Sequence, residues 1–439
     1  MDCLADVDQG VTKHIAVIGG GWAGLACAVE LAAAGARTCV FEASRQLGGR
    51  ARRVDARNHV LDNGQHILIG AYRETLRLMR LVGSEPERVL QRLPLELNHP
   101  RAGFRLRLPR TPAPLNLVIG LITAKGCSLS EKLGAARFMR ALQAINYRLG
   151  DDISVAQLLD LHRQKGAIRR LMWEPLCLAA LNTPPERASA QIFANVLRDS
   201  LGGERADTDL LLPNTDLSDV FPDAAARFIA GHGGTIRLSQ RVERIDKLSH
   251  VNGQAFDDIV IATAPQHAVG LLQDHPQTAP LAHLLSNYCY EPIGTVYLGY
   301  PSGFRLPLPM LGMETGSANG LGQWIFDKGQ LGGAEGVVGC VLSAKGAWDE
   351  RDNDALAAIL HNELQETLGR PLPRPLWHQV IRERRATFSC RPGLPRPASR
   401  TPQQGLWLAG DYICAEYPAT LESAVRSGVA TARAILGQA

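Results

Sequence analysis

Lysine is scarce in this chain, and no long basic segment compensates for its scarcity. Only seven of the 47 basic residues are lysine, scattered at positions 13, 125, 132, 165, 247, 328 and 345. The formal net charge of +4 is small beside 47 basic and 43 acidic side chains. A small net charge without a basic tail lacks the usual signature of nucleic-acid binding, so we expect no nucleic-acid partner.

Cysteine pairs and clusters of metal ligands are also missing from the sequence. There are nine cysteines, an odd number, and no two of them form a C-x-x-C motif. No group of cysteines and histidines has the spacing of zinc ligands, so we expect no metal. Unpaired cysteines favour a reduced, cytoplasmic compartment.

The sequence shows neither a secretory signal nor a membrane-spanning segment. Residues 1–8 are acidic where a signal peptide would be basic and then apolar. The apolar run Leu115–Ala124 is far shorter than the ~20 residues that a spanning helix needs. We therefore expect a cytoplasmic protein that does not cross the membrane but can lie against its inner face.

A glycine-rich turn near the N-terminus carries the first functional signal. The apolar run His14–Ile18 is typical of a buried parallel strand. It leads into G-x-G-x-x-G, whose glycines are Gly19, Gly21 and Gly24, and then into a helix, a second strand and Glu42. In such a unit the glycines admit a pyrophosphate to the helix N-terminus, and the acid binds the adenosine ribose. The combination predicts a Rossmann-type dinucleotide site.

The residues after Glu42 distinguish FAD from NAD. They continue to Gly48, Gly49 and Arg50 in the pattern E-x(5)-G-G-R. Here the sequence resembles the flavin amine oxidase and phytoene desaturase superfamily. The resemblance implies that FAD is the cofactor and that these three residues approach its phosphates and flavin.

A segment in the middle of the chain extends the resemblance. Thr235–Leu238 and Arg241–Ile245 read as a pair of strands after a glycine turn, and Asp257–Pro265 reads as the next strand. In the superfamily, the residue equivalent to Val242 meets the adenine through its backbone. The middle of the chain is therefore expected to return to the nucleotide-binding domain.

The C-terminal region contains a second FAD fingerprint. An apolar strand ends in Gly410 and Asp411. In the resembled superfamily this glycine admits the ribityl chain and the carboxylate accepts hydrogen bonds from its hydroxyls. The helix that follows would direct first-turn N–H groups, that of Leu421 among them, at the flavin pyrimidine.

The order of these segments predicts an α/β fold with an interrupted domain. A Rossmann-type FAD-binding domain with a parallel sheet is expected from residues 1–90, 225–284 and 391–439. A mixed α+β substrate domain, amine-oxidase-like, is expected from residues 91–224 and 285–390. The first of these inserted stretches is expected to be largely helical, and the second contains strand-like runs.

Within the superfamily, the resemblance is greatest to the squalene-associated FAD-dependent desaturases. The segments that carry it are Leu61–Leu76, Trp173–Thr183, Gln323–Asp327 and Gly410–Tyr412. The resemblance implies reductive removal of the hydroxyl of hydroxysqualene, giving squalene for hopanoid synthesis. A long-chain isoprenoid substrate, a separate electron donor and an upstream hydroxysqualene-forming enzyme are the partners that it implies.

Other functions stay open at this point. A carotenoid desaturase would use the same flavin chemistry in the opposite direction. An amine oxidase would need a lysine on a strand near the flavin; Lys328 and Lys345 lie in the corresponding region, but neither belongs to a recognisable strand motif. Only 5% of the residues are aromatic, which disfavours an aromatic cage for an amine. A non-catalytic flavoprotein or lipid carrier is the remaining alternative.

Removal of a hydroxyl requires a proton donor, because hydroxide is a poor leaving group. Asp62 and His66 are the candidate catalytic residues, since their loop passes the flavin in the resembled superfamily. Asp327 and Glu416 are the second-choice candidates for the proton donor. A membrane-facing channel mouth would be formed by Leu115–Ala124 and by the Arg-rich helix around residues 138–140.

Overall fold

The computed structural model describes residues 13–246, 249–313 and 321–438. Its strands are β1 (His14–Ile18), β2 (Arg37–Phe41), β3 (Arg53–Ala56), β4 (His59–Asp62), β5 (Leu68–Ile69), β6 (Leu90–Leu93), β7 (Glu96–His99), β8 (Phe104–Arg107), β9 (Leu210–Pro213), β10 (Thr235–Arg237), β11 (Ile245–Asp246), β12 (His250–Val251), β13 (Gln254–Ala255), β14 (Asp258–Ile261), β15 (Tyr290–Gly299), β16 (Met310–Gly312), β17 (Trp324–Asp327), β18 (Val337–Ser343), β19 (Trp377–Phe388) and β20 (Leu406–Leu408).

The helices lie between these strands. They are α1 (Trp22–Ala33), α2 (Arg73–Leu81), α3 (Pro86–Val89), α4 (Leu115–Thr123), α5 (Leu129–Ala144), α6 (Val155–Leu161), α7 (Gly166–Ile168), α8 (Glu174–Leu181), α9 (Ala190–Leu201), α10 (Leu217–Val220), α11 (Pro222–Gly231), α12 (Pro265–Leu272), α13 (Ala279–Ser286), α14 (Asn353–Leu368) and α15 (Leu421–Ile435). Among the described residues, no helix has both the length and the apolar composition needed to cross a bilayer.

A parallel five-stranded sheet organises the nucleotide-binding side of the molecule. Its strand order is β10-β2-β1-β14-β20, and each neighbouring pair is parallel. The strands come from the beginning, the middle and the end of the chain. Parallel strands need crossover connections, and the long insertions supply them. The predicted α/β fold with a Rossmann-type parallel sheet is confirmed.

Helices cover this sheet and share its core. Side chains of α1, α11 and α15 form one apolar cluster with β1, β2 and β14. The helix pair α1 and α15 is so close that a Cβ on Gly428 would overlap the carbonyl oxygen of Ala23. A glycine is therefore required where the two helices cross.

An antiparallel sheet forms the substrate side. Its order is β16-β17-β18-β15-β19. One face packs on α14 through Val296, Ile325, Cys340 and other buried side chains. The opposite face contributes Trp324, Phe326 and Val341 to a second, larger cluster that includes helices α5, α8 and α9.

Some local expectations differ from the structure. Residues 241–244 are coil rather than strand, and only Ile245–Asp246 pairs, with His250–Val251. The stretch after residue 90, expected to be largely helical, begins with three strands, β6 to β8. The expected domain boundaries at 224/225 and 284/285 fall inside α11 and α13, and α11 packs on α1.

The crossing of α1 and α15 generates a stability prediction. In Gly428→Ala the added methyl meets backbone atoms of Ala23 and Cys27, which cannot move as a flexible side chain can. We expect a loss of about 1–3 kcal/mol in the free energy of unfolding, measured by urea denaturation.

Gly270→Ala is the matched control, because Gly270 lies in α12 with nothing within 4 Å of an added Cβ. It is expected to gain up to about 1 kcal/mol from helix propensity. Equal stability of the two variants would contradict the tight crossing.

Candidate functional site

The glycine turn after β1 is shaped by close backbone approaches. Gly19 has a φ of +114°, and a Cβ there would lie 2.7 Å from the carbonyl oxygen of Ala262 on the neighbouring strand. A Cβ on Gly24 would overlap the carbonyl oxygen of Gly19. Gly21 begins α1 without a side-chain cap, and its hypothetical Cβ has only Gly49 Cα nearby, at 4.0 Å. Gly19 and Gly24 are thus needed for packing, while Gly21 leaves the helix N-terminus accessible, as an anion site requires.

Glu42 fixes the turn from the end of β2. Its carboxylate accepts hydrogen bonds from the backbone N–H of Gly20 and of Ser44, both at 2.7 Å. Gly48 N–H in turn donates to the carbonyl oxygen of Gly20 at 2.8 Å. The E-x(5)-G-G-R segment therefore folds directly over the G-x-G-x-x-G turn. Binding of the ribose by Glu42 stays a prediction.

Arg50 joins three parts of the chain. Its Nη2 lies 2.8 Å from Asp411 Oδ2, and its Nη1 donates to the carbonyl oxygen of Ala386 at 2.6 Å. The Asn63 side chain donates to the carbonyl oxygen of Arg50 at 2.7 Å. The two sequence fingerprints, 361 residues apart, thus meet through one guanidinium group.

Some buried polar atoms near the glycine turn, the loop after β4 and the Arg50–Asp411 pair lack a hydrogen-bond partner among the described residues. Five such atoms are Thr263 Oγ1, Gln266 Oε1, Tyr290 Oη, Thr295 Oγ1 and Tyr412 Oη. Buried polar groups normally find a partner, so such a set indicates a ligand that supplies donors and acceptors. The hydroxyls, phosphates and ring heteroatoms of FAD do so, and the residues present fit that cofactor.

The remaining predicted cofactor residues lie on separate elements. Leu421 is the first residue of α15, whose N-cap Thr420 accepts from Ser423 N–H. Val242 lies in coil and is half-buried against the larger apolar cluster. Their contacts with FAD stay predictions.

Asp62 is held by three partners. Oδ1 accepts from Leu217 N–H at 2.8 Å, Oδ2 lies 3.2 Å from Lys328 Nζ, and the backbone carbonyl accepts from Tyr297 Oη at 2.9 Å. Both side chains of the ion pair are buried, with exposed fractions of 3% for Asp62 and 7% for Lys328. Through these contacts Asp62 joins β4 to the start of α10 and to the residue that follows β17. Its role as a proton donor stays a prediction.

Lys328 lies beside the loop that contains Gln65, a placement that sequence reasoning did not predict. It directly follows β17, and its Nζ also lies 3.5 Å from Gln65 Oε1. The available indication in the sequence was a lysine directly after an apolar, strand-like run, in a chain where most basic residues are arginine. Its partner could not be read from sequence, because Asp62 is 266 residues away.

His66 is held in one tautomer. Its Nδ1 lies 2.9 Å from the carbonyl oxygen of Gly64, so Nδ1 carries the hydrogen. Burial lowers the pKa of His66 from 6.5; Gly64 and Asp62 oppose this shift, while the charges of Arg50 and Lys328 reinforce it. The neutral imidazole predominates at neutral pH.

The two second-choice candidates, Asp327 and Glu416, differ in their surroundings. Asp327 accepts hydrogen bonds from Leu306 N–H and from the side chain of Gln330, both at 2.8 Å, which makes it a structural residue. The Glu416 side chain is 71% exposed and lies 4.0 Å from Arg198. The roles of Asp62, His66, Asp327 and Glu416 in proton transfer stay predictions.

Known proteins are similar in sequence to most of this chain. The family model described as "Flavin containing amine oxidoreductase" matches residues 22–436. A hydroxysqualene dehydroxylase of Rhodopseudomonas palustris is 30% identical over 97% of this chain and 99% of that protein. A hydroxysqualene dehydroxylase of Sinorhizobium fredii is 28% identical over 95% and 96%. A probable zeta-carotene desaturase of Synechococcus elongatus is 24% identical over 96% and 98%.

Solved structures agree on the fold. A putrescine oxidase variant superposes with a TM-score of 0.73 at 17% identity, covering 97% of this chain and 99% of that one. A putative protoporphyrinogen oxidase from Exiguobacterium gives 0.70 at 16% identity, covering 98% and 100%. Together with the family match and the buried polar atoms that lack partners, these likenesses lead to one conclusion. The chain belongs to the flavin-containing amine oxidoreductase family and is an FAD-dependent oxidoreductase.

Proposed function

We propose that this protein removes the hydroxyl of hydroxysqualene reductively, giving squalene. The observation that carries the proposal is the end-to-end similarity to three proteins named hydroxysqualene dehydroxylase, at 25% to 30% identity. The matches to carotenoid desaturases are weaker, at 22% to 24% identity. An upstream hydroxysqualene-forming enzyme would supply the substrate.

The overall reaction replaces a carbon–hydroxyl bond by a carbon–hydrogen bond. The carbon–oxygen bond breaks, and the oxygen leaves as water after accepting a proton. Bound FAD in its reduced form supplies the hydride that forms the new bond. Two electrons must then be restored by a separate donor at each turnover.

The face of the substrate sheet opposite α14 suits an isoprenoid. Trp324, Phe326 and Val341 are buried on this face, and Ile293 and Met310 are partly buried beside them. Leu176 and Ala180 on α8 pack against the same cluster. A hydrocarbon chain in contact with this apolar cluster would be stabilised, because its apolar surface would be removed from water.

In the sequence, the lack of a lysine in a recognisable strand motif disfavoured an amine oxidase, and the structure changes this argument. Lys328 does directly follow a strand of the substrate sheet, contrary to the expectation from the sequence. Its ammonium group is nevertheless engaged by Asp62 and Gln65. This engagement favours a positioning role for Lys328 over a role toward an amine.

Location follows from the chemistry of the substrate. Hydroxysqualene and squalene both partition into lipid, so we place the protein peripherally at the inner face of the membrane. Access from the bilayer would spare the substrate a passage through water.

Product analysis tests the proposal. Anaerobic incubation of the reduced protein with hydroxysqualene is expected to yield squalene, detected by mass spectrometry, and FAD-free protein is the control. The oxidised protein is expected to leave phytoene and putrescine unchanged. Inertness toward hydroxysqualene together with turnover of phytoene or putrescine would overturn the assignment and identify a desaturase or an amine oxidase.

The pH dependence tests His66 as the proton donor. Because burial lowers its pKa, the protonated form of His66 becomes populated only below the ordinary value of 6.5. If His66 protonates the departing oxygen, the single-turnover rate with hydroxysqualene rises as the pH falls through that lowered pKa. His66→Gln should remove this acidic limb and slow the reaction by roughly 10²-fold or more.

His232→Gln is the matched control, since His232 is exposed beside the glycine turn that follows α11. Its pH profile should match that of the unmodified protein. An unchanged profile in His66→Gln would remove His66 from the mechanism.

A further inference from the structure

One stretch of the chain concentrates positive charge. Residues 101–150 contain nine Lys and Arg residues and a single acidic residue, Glu131. The whole chain has a net charge of only +4, so the remainder is net acidic. This stretch contains β8, α4 and α5.

The same stretch exposes large apolar side chains. On α4, Leu115, Val118 and Ile122 are 55%, 45% and 66% exposed. On α5, Leu129 and Leu133 are 72% and 47% exposed. Spacings of three and four residues place each set on one helix face.

The two helices form one surface. They pack against each other, and Lys132 Nζ donates to the carbonyl oxygen of Ile122 at the end of α4. α4 packs on the end of β8, where a Cβ on Gly120 would lie 2.5 Å from Leu108 Cδ2 and 3.1 Å from the carbonyl oxygen of Arg107. Packing of the buried sides therefore fixes the outward direction of the exposed apolar residues.

The charges beside this surface are available to a partner. Arg105 and Arg107 pair with Glu96. Among the described residues, no ion pair engages Lys125, Arg137 or Arg140, all of which are exposed. The Glu131 carboxylate is occupied by the N–H groups of Ser128 and Ala167.

We propose that the exposed faces of α4 and α5 dock on a lipid bilayer that contains anionic phospholipid. The five apolar side chains Leu115, Val118, Ile122, Leu129 and Leu133 enter the interface, and the surrounding cations meet the headgroups. An apolar face rimmed by Lys and Arg has the composition of an interfacial helix. Anionic lipid matches its charge. The inference rests on the proposed function, because a lipid-soluble substrate is what requires a bilayer.

Vesicle flotation of the FAD-loaded protein tests the docking without any substrate. Vesicles of phosphatidylcholine alone and of phosphatidylcholine mixed with phosphatidylglycerol are compared. The combined variant Ile122→Gln, Leu129→Gln and Leu133→Gln should bind the mixed vesicles at least about tenfold more weakly. The control variant carries Leu161→Gln and Leu376→Gln, at two residues that are each 71% exposed outside the surface, and should bind normally.

A second variant separates charge from apolar insertion. Lys125→Gln with Arg137→Gln should weaken binding to the anionic vesicles by about fivefold per charge and leave binding to phosphatidylcholine unchanged. FAD absorbance and thermal unfolding show that each variant is folded.

Undiminished binding of the combined apolar variant would overturn the proposal. An absence of vesicle binding in the unmodified protein would also overturn it. If the unmodified protein were then a dimer in solution and the combined apolar variant a monomer, the surface would be an interface between copies of this chain. Squalene formation by an unmodified protein that binds no vesicles would mean that the docking proposal fails and the proposed reaction stands. Vesicle binding without squalene formation would mean that the proposed reaction fails and the docking stands.

Discussion

The ion pair between Arg50 and Asp411 connects the parts of the molecule that must meet around FAD. Arg50 belongs to the segment folded over the N-terminal glycine turn, and Asp411 lies three residues after β20, the last strand of the parallel sheet. The second terminal nitrogen of Arg50 bonds to Ala386 in the substrate sheet. A guanidinium group can serve both partners because its donors are fixed in a planar fork.

A second buried ion pair makes a similar connection elsewhere. Asp62 ends β4 and pairs with Lys328, which directly follows β17. Both pairs join a segment near the N-terminus to a segment more than 250 residues later. The Arg50–Asp411 pair joins two parts of the nucleotide-binding side. The Asp62–Lys328 pair joins that side to the substrate sheet, and removing one of its partners would leave a buried charge unpaired, which is costly. The loop containing His66 follows Asp62 and is positioned by this second connection.

Much of the cofactor site could be predicted from sequence because its determinants are local. Gly19, Gly21, Gly24 and Glu42 lie within one strand–turn–helix–strand unit, whose backbone geometry dictates those residue types. The interrupted fold followed from the order of the segments. The features that could not be predicted depend on distant partners. Lys328 carries no local sign of Asp62, and residues 241–244 have the composition of a strand but pair with no strand in the described parts of the chain. The contacts of Asp62 and Asp327 could not be predicted for the same reason, because they are made to distant segments.

The most direct test of the account is a double-mutant cycle on the Arg50–Asp411 pair, with FAD affinity as the readout. FAD is titrated into the FAD-free unmodified protein, Arg50→Met, Asp411→Asn and the double variant. If the pair closes the cofactor site, each single variant binds FAD at least about tenfold more weakly, and the double variant loses less than the sum of the two. FAD affinity equal to that of the unmodified protein in both single variants would contradict it.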